Sequence, residues 1–570
     1  MYLSSLRLWN FRKFGSNNDP INLEFPDLIV NFNPGLNALI GENDSGKSCI
    51  IDAIKIILDT HSSEWNKISD SDFHKNTSRL RIECRFDDFI VDEAKYFTEW
   101  LSMEGEGDKA KPFLRIMYDV TKNNDRVFPA SVKAGMDEEG YTLNFAAREL
   151  LKCTYLKPLR DAKNELMPRK GSRLSQILMG LEPFKNNKEK HYLINDVFNK
   201  FDVGINEYFT NKSIDNGNGK AIKVGLEKYL TNFFGDDKKP KFSINNKSLR
   251  EILEILKLTL EDENLGLGSQ NLLFMATEIL NLNQVGRTCL NLGLIEELEA
   301  HLHPQAQLKI IQYLQNLAAN SKIQLIITTH SPNIGSKLNL ENLIICNGGK
   351  VFPMNVNSTK LEPKDYIFLE KFLDVTKSNL FFAKGVIFVE GWSEELLIPV
   401  LARGIGLDLT KKGVSIINVG GTAFLRYAKI FVRKDDKYPM DIPVAIITDK
   451  DKEITDVKAT KYNYPPVKAF ISPERTLEIC LLKSSILGGQ FKEIVNQVHK
   501  GTDGVEDFNA FVEDKLEKKT FNKTEVAYNL SHQLESYLQN EDKQKEINSQ
   551  NSCDDTIYYL LEAIRYATGN

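Results

Sequence analysis

The sequence predicts an α/β protein built from two sheet-bearing units, the first interrupted by a helical insertion. Three observations carry this reading. "NALIGENDSGKSCIIDAIKIIL" passes from an apolar strand through a glycine-bounded turn into an amphipathic helix. Apolar strands that end on carboxylates recur at "LNLGLIEE", "VIFVEG" and "VAIITDKD". Between the glycine turn and the first of these lies a polar stretch with helical periodicity, from Leu174 to about Asn246.

The start is β-rich. "YLSSLRLWNFRKF", "INLEF" and "LNALIG" alternate apolar and polar residues as antiparallel strands do. Residues Gly41–Ser48 then fit the pattern G-x-x-x-x-G-K-S/T, for which a chain this long holds on the order of a few hundredths of a chance match. The loop through Gly41, Asn43, Ser45 and Gly46 presents backbone N–H groups to phosphate oxygens, Lys47 neutralises the terminal phosphates, and the Ser48 hydroxyl ligates Mg2+. The helix that follows adds its positive end beneath them. ATP is the expected ligand.

Further strands are expected at "LRIECRFDDF" and "FLRIMYDV", joined by the acidic loop "SMEGEGDKAK". The helical stretch, with soft loops at "DNGNGK" and "GDDKKPK", reads as an insertion, because strand signals return at "TCLNLGLI" and "IQLIITTH". A connecting region follows "IICNGGKVF", and a new α/β series opens with "GVIFVEG", "VSIINVGG" and "VAIITDKD". The expected divisions are 1–165 and 247–356 for the two parts of the first unit, 166–246 for the insertion, and 357–570 for the second unit with its charged C-terminal helices.

A phosphate cradle needs a carboxylate for its metal and a group to handle water. The strand in "LNLGLIEELEAHLHP" ends at Ile295, so Glu296 is placed to hold Mg2+ through its water shell and Glu297 to orient or deprotonate water. A second strand ends in "TTHSP", where His330 is placed to contact the γ-phosphate. His301 and His303 are expected on the turn after the acidic pair, shaping a subunit contact. In the second unit, Glu390 sits at a strand tip with Glu394 on the next helical turn, and Asp449 and Asp451 project to one side of another strand end. Such carboxylates repel one another unless a cation lies among them. With hard oxygen ligands and no His or Cys, the expected ion is Mg2+ or Mn2+.

Composition limits the alternatives. A chain of 570 residues with 42% hydrophobic and 26% charged content reads as roughly three or four ordinary globular domains. No apolar run is long enough to span a bilayer, and "MYLSSLRLWNFRKF" has no apolar signal region, so a cytoplasmic location is expected. The seven scattered cysteines form no C-x-x-C pair and read as core thiols. A net charge of −5 excludes a generally basic coat but leaves room for a local groove. The run with Lys157, Arg160, Lys163, Arg169, Lys170 and Arg173 reads equally as a phosphate-backbone contact and as a solvated or subunit-contact face.

In that order, "NFRKF", "GENDSGKS", "LGLGSQ", "EELEAHLHPQ" and "TTHSP" resemble the ATP-binding-cassette (ABC) type heads of structural-maintenance-of-chromosomes (SMC) and recombination-repair ATPases. "YLKPLRDAKNELMPRKGSRLSQIL" and "FLDVTKSNLFFAKGVIFVEG" resemble the overcoming-lysogenization-defect (OLD) family of ATPase-nucleases, and a Glu followed by D-x-D resembles the Toprim fold. The resemblance implies an ABC/SMC-like head, a helical dimerisation insertion and a Toprim Rossmann-like domain. It implies that Gly266, Gly268, Ser269 and Gln270 face the γ-phosphate of an opposite protomer, that Glu478 completes a second metal site, and that Lys523 assists. The activity implied is that of an ATPase and metal-dependent DNA endonuclease or nickase gated by nucleotide, working as a homodimer or homotetramer, in bacterial anti-phage defence beside a helicase-like partner as in Gabija-type systems. A DNA-binding repair ATPase or an ATP-switched scaffold is the alternative. Leu298, where the family carries proline, and the degenerate signature turn bear on hydrolysis rate more than on nucleotide binding.

Overall fold

The computed structural model describes residues 1–16, 20–61, 67–124, 126–158, 165–185, 191–234, 239–240, 248–260, 266–283, 290–421, 423–450, 463–499, 507–548 and 554–570. Strands β1 (Tyr2–Trp9), β2 (Leu28–Asn31) and β3 (Leu36–Ile40) precede the helix Lys47–Leu58. Strands β4 (Arg79–Asp87), β5 (Leu101–Glu104), β6 (Lys111–Asn123), β7 (Arg126–Val127), β8 (Lys133–Ala134) and β9 (Tyr141–Thr142) follow it. All but β3 form an antiparallel sheet of order β2-β1-β4-β6-β8-β9, with β5 and β7 paired to β6. Period-two patterning sets its faces: Leu80, Ile82, Cys84 and Phe86 of β4 are buried on one side. On the other, the buried Arg81 guanidinium is neutralised by Glu83, Asp119 and Glu138.

Three expectations for this region are corrected. "YLSSLRLWNFRKF" is not one strand: β1 ends at Trp9 because Asn10 and Arg12 take positive φ angles of 49° and 50°. The Arg12 side chain is held there by Asp52 at 2.6 Å and Asp72 at 2.8 Å. "INLEF" is a turn, closed by Phe25 N–H and Trp9 Nε1–H donating to the Asn22 carbonyl, and the strand is the following "LIVN". "SMEGEGDKAK" does not begin as loop, since Leu101–Glu104 pair with Leu114–Lys111.

The second sheet has the order β10 (Thr154–Leu156), β11 (Leu292–Ile295), β12 (Gln324–Thr329), β3, β13 (Leu343–Asn347), β14 (Lys350–Pro353). All neighbours are parallel except the β13–β14 hairpin. Its central strands are buried on both faces, so β3, expected above to alternate as an antiparallel strand does, is instead a parallel strand with Leu36–Ile40 all buried. Ile295 pairs with Ile327, Thr329 with Ile40, and Ile40 with Ile345, so the loops after β11, β12, β3 and β13 emerge along one edge.

Between β10 and β11 lie the helices Arg173–Gly180, Asn199–Thr210, Asn218–Phe234, Leu249–Glu254 and Leu267–Leu282. The helix Asn199–Thr210 buries none of its residues, and Tyr192, Phe201, Val203, Ile222 and Val224 are exposed. Arg173, weighed above as a phosphate contact, is withdrawn from solvent: it forms a bidentate pair with the fully buried Glu278 at 2.5 and 2.8 Å and donates to the His61 carbonyl. Arg160 and Lys163 lie outside the described residues.

The third sheet is parallel throughout, in the order β16 (Val414–Asn418), β15 (Gly385–Val389), β17 (Val444–Thr448), β18 (Val467–Ile471). The sequence reading lacked β18, whose "VKAFI" alternates weakly. The second and third sheets share one apolar core that includes Ile40, Ile327, Phe381, Val386 and Phe388. Their junction is fixed by Lys350–Asp441 at 2.7 Å and by Arg433 donating to the Pro353 carbonyl at 2.7 Å. Among the described residues no helix is long and apolar enough to cross a membrane.

The buried Arg173–Glu278 pair gives a stability prediction. Glu278→Ala leaves the buried guanidinium without its carboxylate and is expected to cost about 3–5 kcal/mol, whereas the double variant Arg173→Met/Glu278→Leu recovers most of the loss. Thermal unfolding of the three proteins checks this, and equal losses in the single and double variants would contradict it.

Candidate active sites

Two groups of polar side chains collect at strand ends, one on the second sheet and one on the third. In the first, β3 turns at Gly41 and the helix Lys47–Leu58 begins at Gly46, which caps it without a side-chain hydrogen bond. Neither position tolerates a side chain. Gly41 has φ 151°, and a Cβ there would lie 2.3 Å from the Cys346 carbonyl oxygen; Gly46 has φ 108°, and a Cβ would lie 2.5 Å from Phe14 Cζ. The uncapped first-turn N–H groups and the bare loop form an anion cradle. Lys47 is buried in it, donating to the carbonyls of Gly41 at 2.7 Å and Glu42 at 2.6 Å, with Ser45 Oγ at 3.3 Å. Burial lowers its pKa, against the pull of nearby Cys346, Glu299 and Glu297. Asn43 and Ser48 are exposed on the loop and the first helical turn. The residues fit a nucleoside triphosphate with its Mg2+.

Glu296 and Glu297 follow β11 on the same edge. Glu296 is buried, accepts a hydrogen bond from Tyr155 Oη at 3.3 Å, and is pushed up to about 7 by desolvation and by Asp52 on the neighbouring helix. Glu297 adopts φ 43° and its N–H donates to Thr328 Oγ1 at 2.9 Å. His330, after β12, is held by a residue the sequence reading did not single out. Glu299 accepts from the His330 N–H at 2.7 Å and from Thr329 Oγ1 at 2.8 Å, and lies 3.1 Å from His330 Nδ1. No local pattern marks Glu299, because its partners come from another strand. Gly266 caps the helix Leu267–Leu282, and Gly268 and Ser269 lie on its first turn with Gln270. A Cβ on Gly268 would lie 2.6 Å from the His301 carbonyl oxygen, so the signature turn is seated on the loop after the acidic pair. His303 caps the helix Pro304–Asn320.

The second group lies at the ends of β15, β17 and β18. Glu390 follows β15 and accepts from Thr448 Oγ1 at 2.6 Å and from the Asp449 N–H at 3.1 Å. Glu394 is buried on the first turn of the helix Trp392–Gly404, and Glu478 is buried on the helix Leu477–Lys483 that follows β18. Lys523, at the start of the helix Lys523–Tyr537, donates to Glu478 Oε2 at 2.9 Å. Desolvation, then Glu390, Glu478 and Glu394, push the Asp449 carboxyl up to about 8. Desolvation, then Glu478 and Glu390, push Glu394 up to about 7. Burial disfavours the Lys523 ammonium, yet Glu478, Asp449 and Glu394 hold its pKa above the ordinary value.

Asp451 lies outside the described residues. Among the described residues, no three His, Cys, Asp or Glu side chains stand as a ready-made cage. Glu390 and Glu478 instead take hydrogen-bond partners from the protein. The donor set nevertheless fits a hard divalent cation: the acidic side chains offer only carboxylate oxygens, and two of them are driven toward protonation by burial and mutual repulsion that such a cation offsets.

This arrangement predicts a pH-dependent stabilisation by metal. Asp449 and Glu394 have folded-state pKa values above the carboxyl range near about 4, so their contribution to stability is complete below that pH and is lost as pH rises through about 7 to 8. The gain in Tm from Mn2+ over EDTA is therefore expected to be larger at about pH 8.5 than at about pH 5.5, and to shrink in Asp449→Asn. Calorimetry that returns the same gain at both pH values would contradict it.

Comparison with known proteins finds a family match in each half of the chain. Residues 1–134 and 140–334 match the AAA ATPase domain family, and residues 381–451 match the overcoming lysogenization defect protein-like TOPRIM domain. The chain is 25% identical over 555 residues to the endonuclease GajA of Bacillus cereus strain HuB5-5, covering 80% of this chain and 77% of that one. It is 23% identical to the OLD nuclease of Thermus scotoductus, covering 74% and 79%, and 26% identical to the Old nuclease of Escherichia phage P2, covering 68% and 70%. With more than half of its length matched by that model, the chain belongs to the AAA ATPase domain family and carries an OLD-like TOPRIM domain behind its ATPase head.

Proposed function

We propose that this protein is an ATP-binding, divalent-metal-dependent DNA endonuclease or nickase whose cutting is controlled by nucleotide. The observation that carries this reading is the carboxylate group of half-buried Glu390 and Asp449 and buried Glu394 and Glu478, gathered with Lys523 at the ends of parallel strands. Relatives that share both halves of the chain are named endonuclease and OLD nuclease.

Glu390, Glu394, Asp449 and Asp451 hold the metal, with Glu478 available to a second ion. Bound Mg2+ or Mn2+ supplies Lewis acidity at the scissile phosphate and lowers the pKa of an attacking water. The chain's own work is positional: the carboxylates would hold the ion at the strand ends, and Lys523, anchored by Glu478, stabilises developing negative charge. In the head, Lys47 and the loop bind the triphosphate, Ser48 and Glu296 hold its Mg2+, Glu297 orients water, and Glu299 fixes His330 with Nε2 free to reach the γ-phosphate. Gly268, Ser269 and Gln270 serve the nucleotide of a second protomer.

The two sites are mechanically linked. Glu42 of the phosphate loop pairs with Lys384 at 3.4 Å, the residue before β15, and β15 ends at Glu390. Ile334 and Gly335, just after His330, pack with Phe381 and Leu380, which lead into the same strand. A change at the γ-phosphate therefore reaches Glu390 through packed elements, in the manner of a ligand favouring one conformer. The exposed apolar residues Phe201, Val203, Ile222 and Val224 suit the insertion, within 166–246, to joining subunits in a homodimer or homotetramer. The resemblance to Gabija-type systems suits a role in anti-phage defence, with a helicase-like partner.

Supercoiled plasmid with Mg2+ or Mn2+ tests the proposal. Wild type is expected to nick, Glu390→Ala and Asp449→Ala to lose at least about a thousandfold in rate, and Lys47→Ala to cut without response to ATP. Nicking retained by both carboxylate variants would move the active site elsewhere.

A further inference from the structure

Trp392 opens the helix that carries Glu394, two residues from Glu390 on one side and two from Glu394 on the other, yet its side chain is 62% exposed. An indole is large and apolar and is buried on average, so one left in water at the lip of an acidic site forgoes a substantial burial gain. Its neighbours Ser393 and Glu394 turn inward and are buried, and Glu395, one turn on, accepts from Asn418 Nδ2 at 2.9 Å. That bond ties the Trp392 helix to the loop after β16, where Val419 N–H donates to the Val389 carbonyl and Gly420 N–H to Asn418 Oδ1. On this loop Gly420 and Gly421 have φ 65° and 144°, and a Cβ on either would meet no described atom within 4 Å. Among the described residues, the rim beside Glu390 thus includes an open glycine backbone and a solvent-facing aromatic ring. The cation closest to the acids in chemistry, Lys523, is committed to Glu478.

A nucleic-acid strand approaching four carboxylates needs a hold that does not depend on its charge. Base stacking on an aromatic face supplies one, and it is tolerant of sequence because every base has a π-face. We propose that Trp392 stacks on an unpaired nucleobase beside the scissile phosphate, so that the site prefers DNA in which a base is free to leave the helix. Trp392 is a positioning and specificity residue, distinct from the metal ligands that flank it. The inference rests on the nuclease reading above, and its test separates the two.

The full-length protein is assayed with Mn2+ on a single-stranded oligonucleotide and on the matched duplex, as wild type, Trp392→Ala, Trp392→Phe and Tyr438→Ala. Tyr438 is an equally exposed aromatic that precedes β17, at the opposite end of that strand from Asp449. Trp392→Ala is expected to raise KM for the single strand about tenfold with kcat within about threefold of wild type, to leave the Mn2+ gain in Tm unchanged, and to narrow the preference over duplex. Trp392→Phe restores most of the loss, and Tyr438→Ala has no effect. In Ca2+, binding of the single strand quenches tryptophan fluorescence in wild type but not in Trp392→Phe. A KM for Trp392→Ala within about twofold of wild type overturns the inference, as does loss of kcat together with the Mn2+ gain, which marks a structural role. Absence of cutting by wild type sinks the nuclease reading alone, because the quenching comparison still decides whether Trp392 meets a base.

Discussion

Desolvation of clustered carboxylates, and then their mutual repulsion, is the constraint on which the C-terminal half turns. Glu390, Glu394, Asp449 and Glu478 arrive from two strand ends and two helix starts, Glu394 and Glu478 buried and Glu390 and Asp449 half-buried. A fold driven only by stability would not gather them, since each raises the cost of ionising the others. The protein meets part of that cost with its own donors: Thr448 and the Asp449 amide serve Glu390, and Lys523 serves Glu478. Burial and the neighbouring carboxylates still hold the Asp449 and Glu394 pKa values above the ordinary range. Parallel topology makes the gathering possible, because it points every strand end to one edge and leaves that edge to function.

The head follows the same logic with the opposite charge. There the parallel strands deliver a glycine loop, a buried ammonium and an uncapped helix start, all suited to an anion. Carboxylates that follow β11 and the Glu299-bound His330 lie beside it. Because the two sheets share one apolar core, and because Glu42 and Lys384 join the phosphate loop to the strand that carries Glu390, the two sites are parts of one packed body. Nucleotide control of the distant edge then needs no separate device.

What the sequence made legible was what local chemistry demands. The phosphate loop could be read because its glycines, lysine and strand–helix context are contiguous. Glu296, Glu390 and Asp449 could be read because an apolar run that stops on an acid marks a strand end. The misreadings share one cause, a partner distant in sequence. "NFRKF" looked like strand until Asp52 and Asp72 were seen to hold Arg12 in a left-handed turn. Arg173 looked available to DNA until Glu278 was seen to bury it. β18 alternates too weakly to announce itself, and only its pairing with β17 makes it a strand. Glu299 carries no motif; its meaning lies in Thr329 and His330 across the sheet edge.

The most direct measurement of the central claim is the number of protons released when Mn2+ binds, read from titration calorimetry in buffers of different ionisation enthalpy. With Asp449 raised to about 8 and Glu394 to about 7, more than about one proton should leave per site at about pH 7, and Asp449→Asn should remove most of that release. Tight binding of Mn2+ with no proton released would mean that the carboxylates are already ionised and separate, and the account of a repulsion-strained, metal-seeking cluster would not stand.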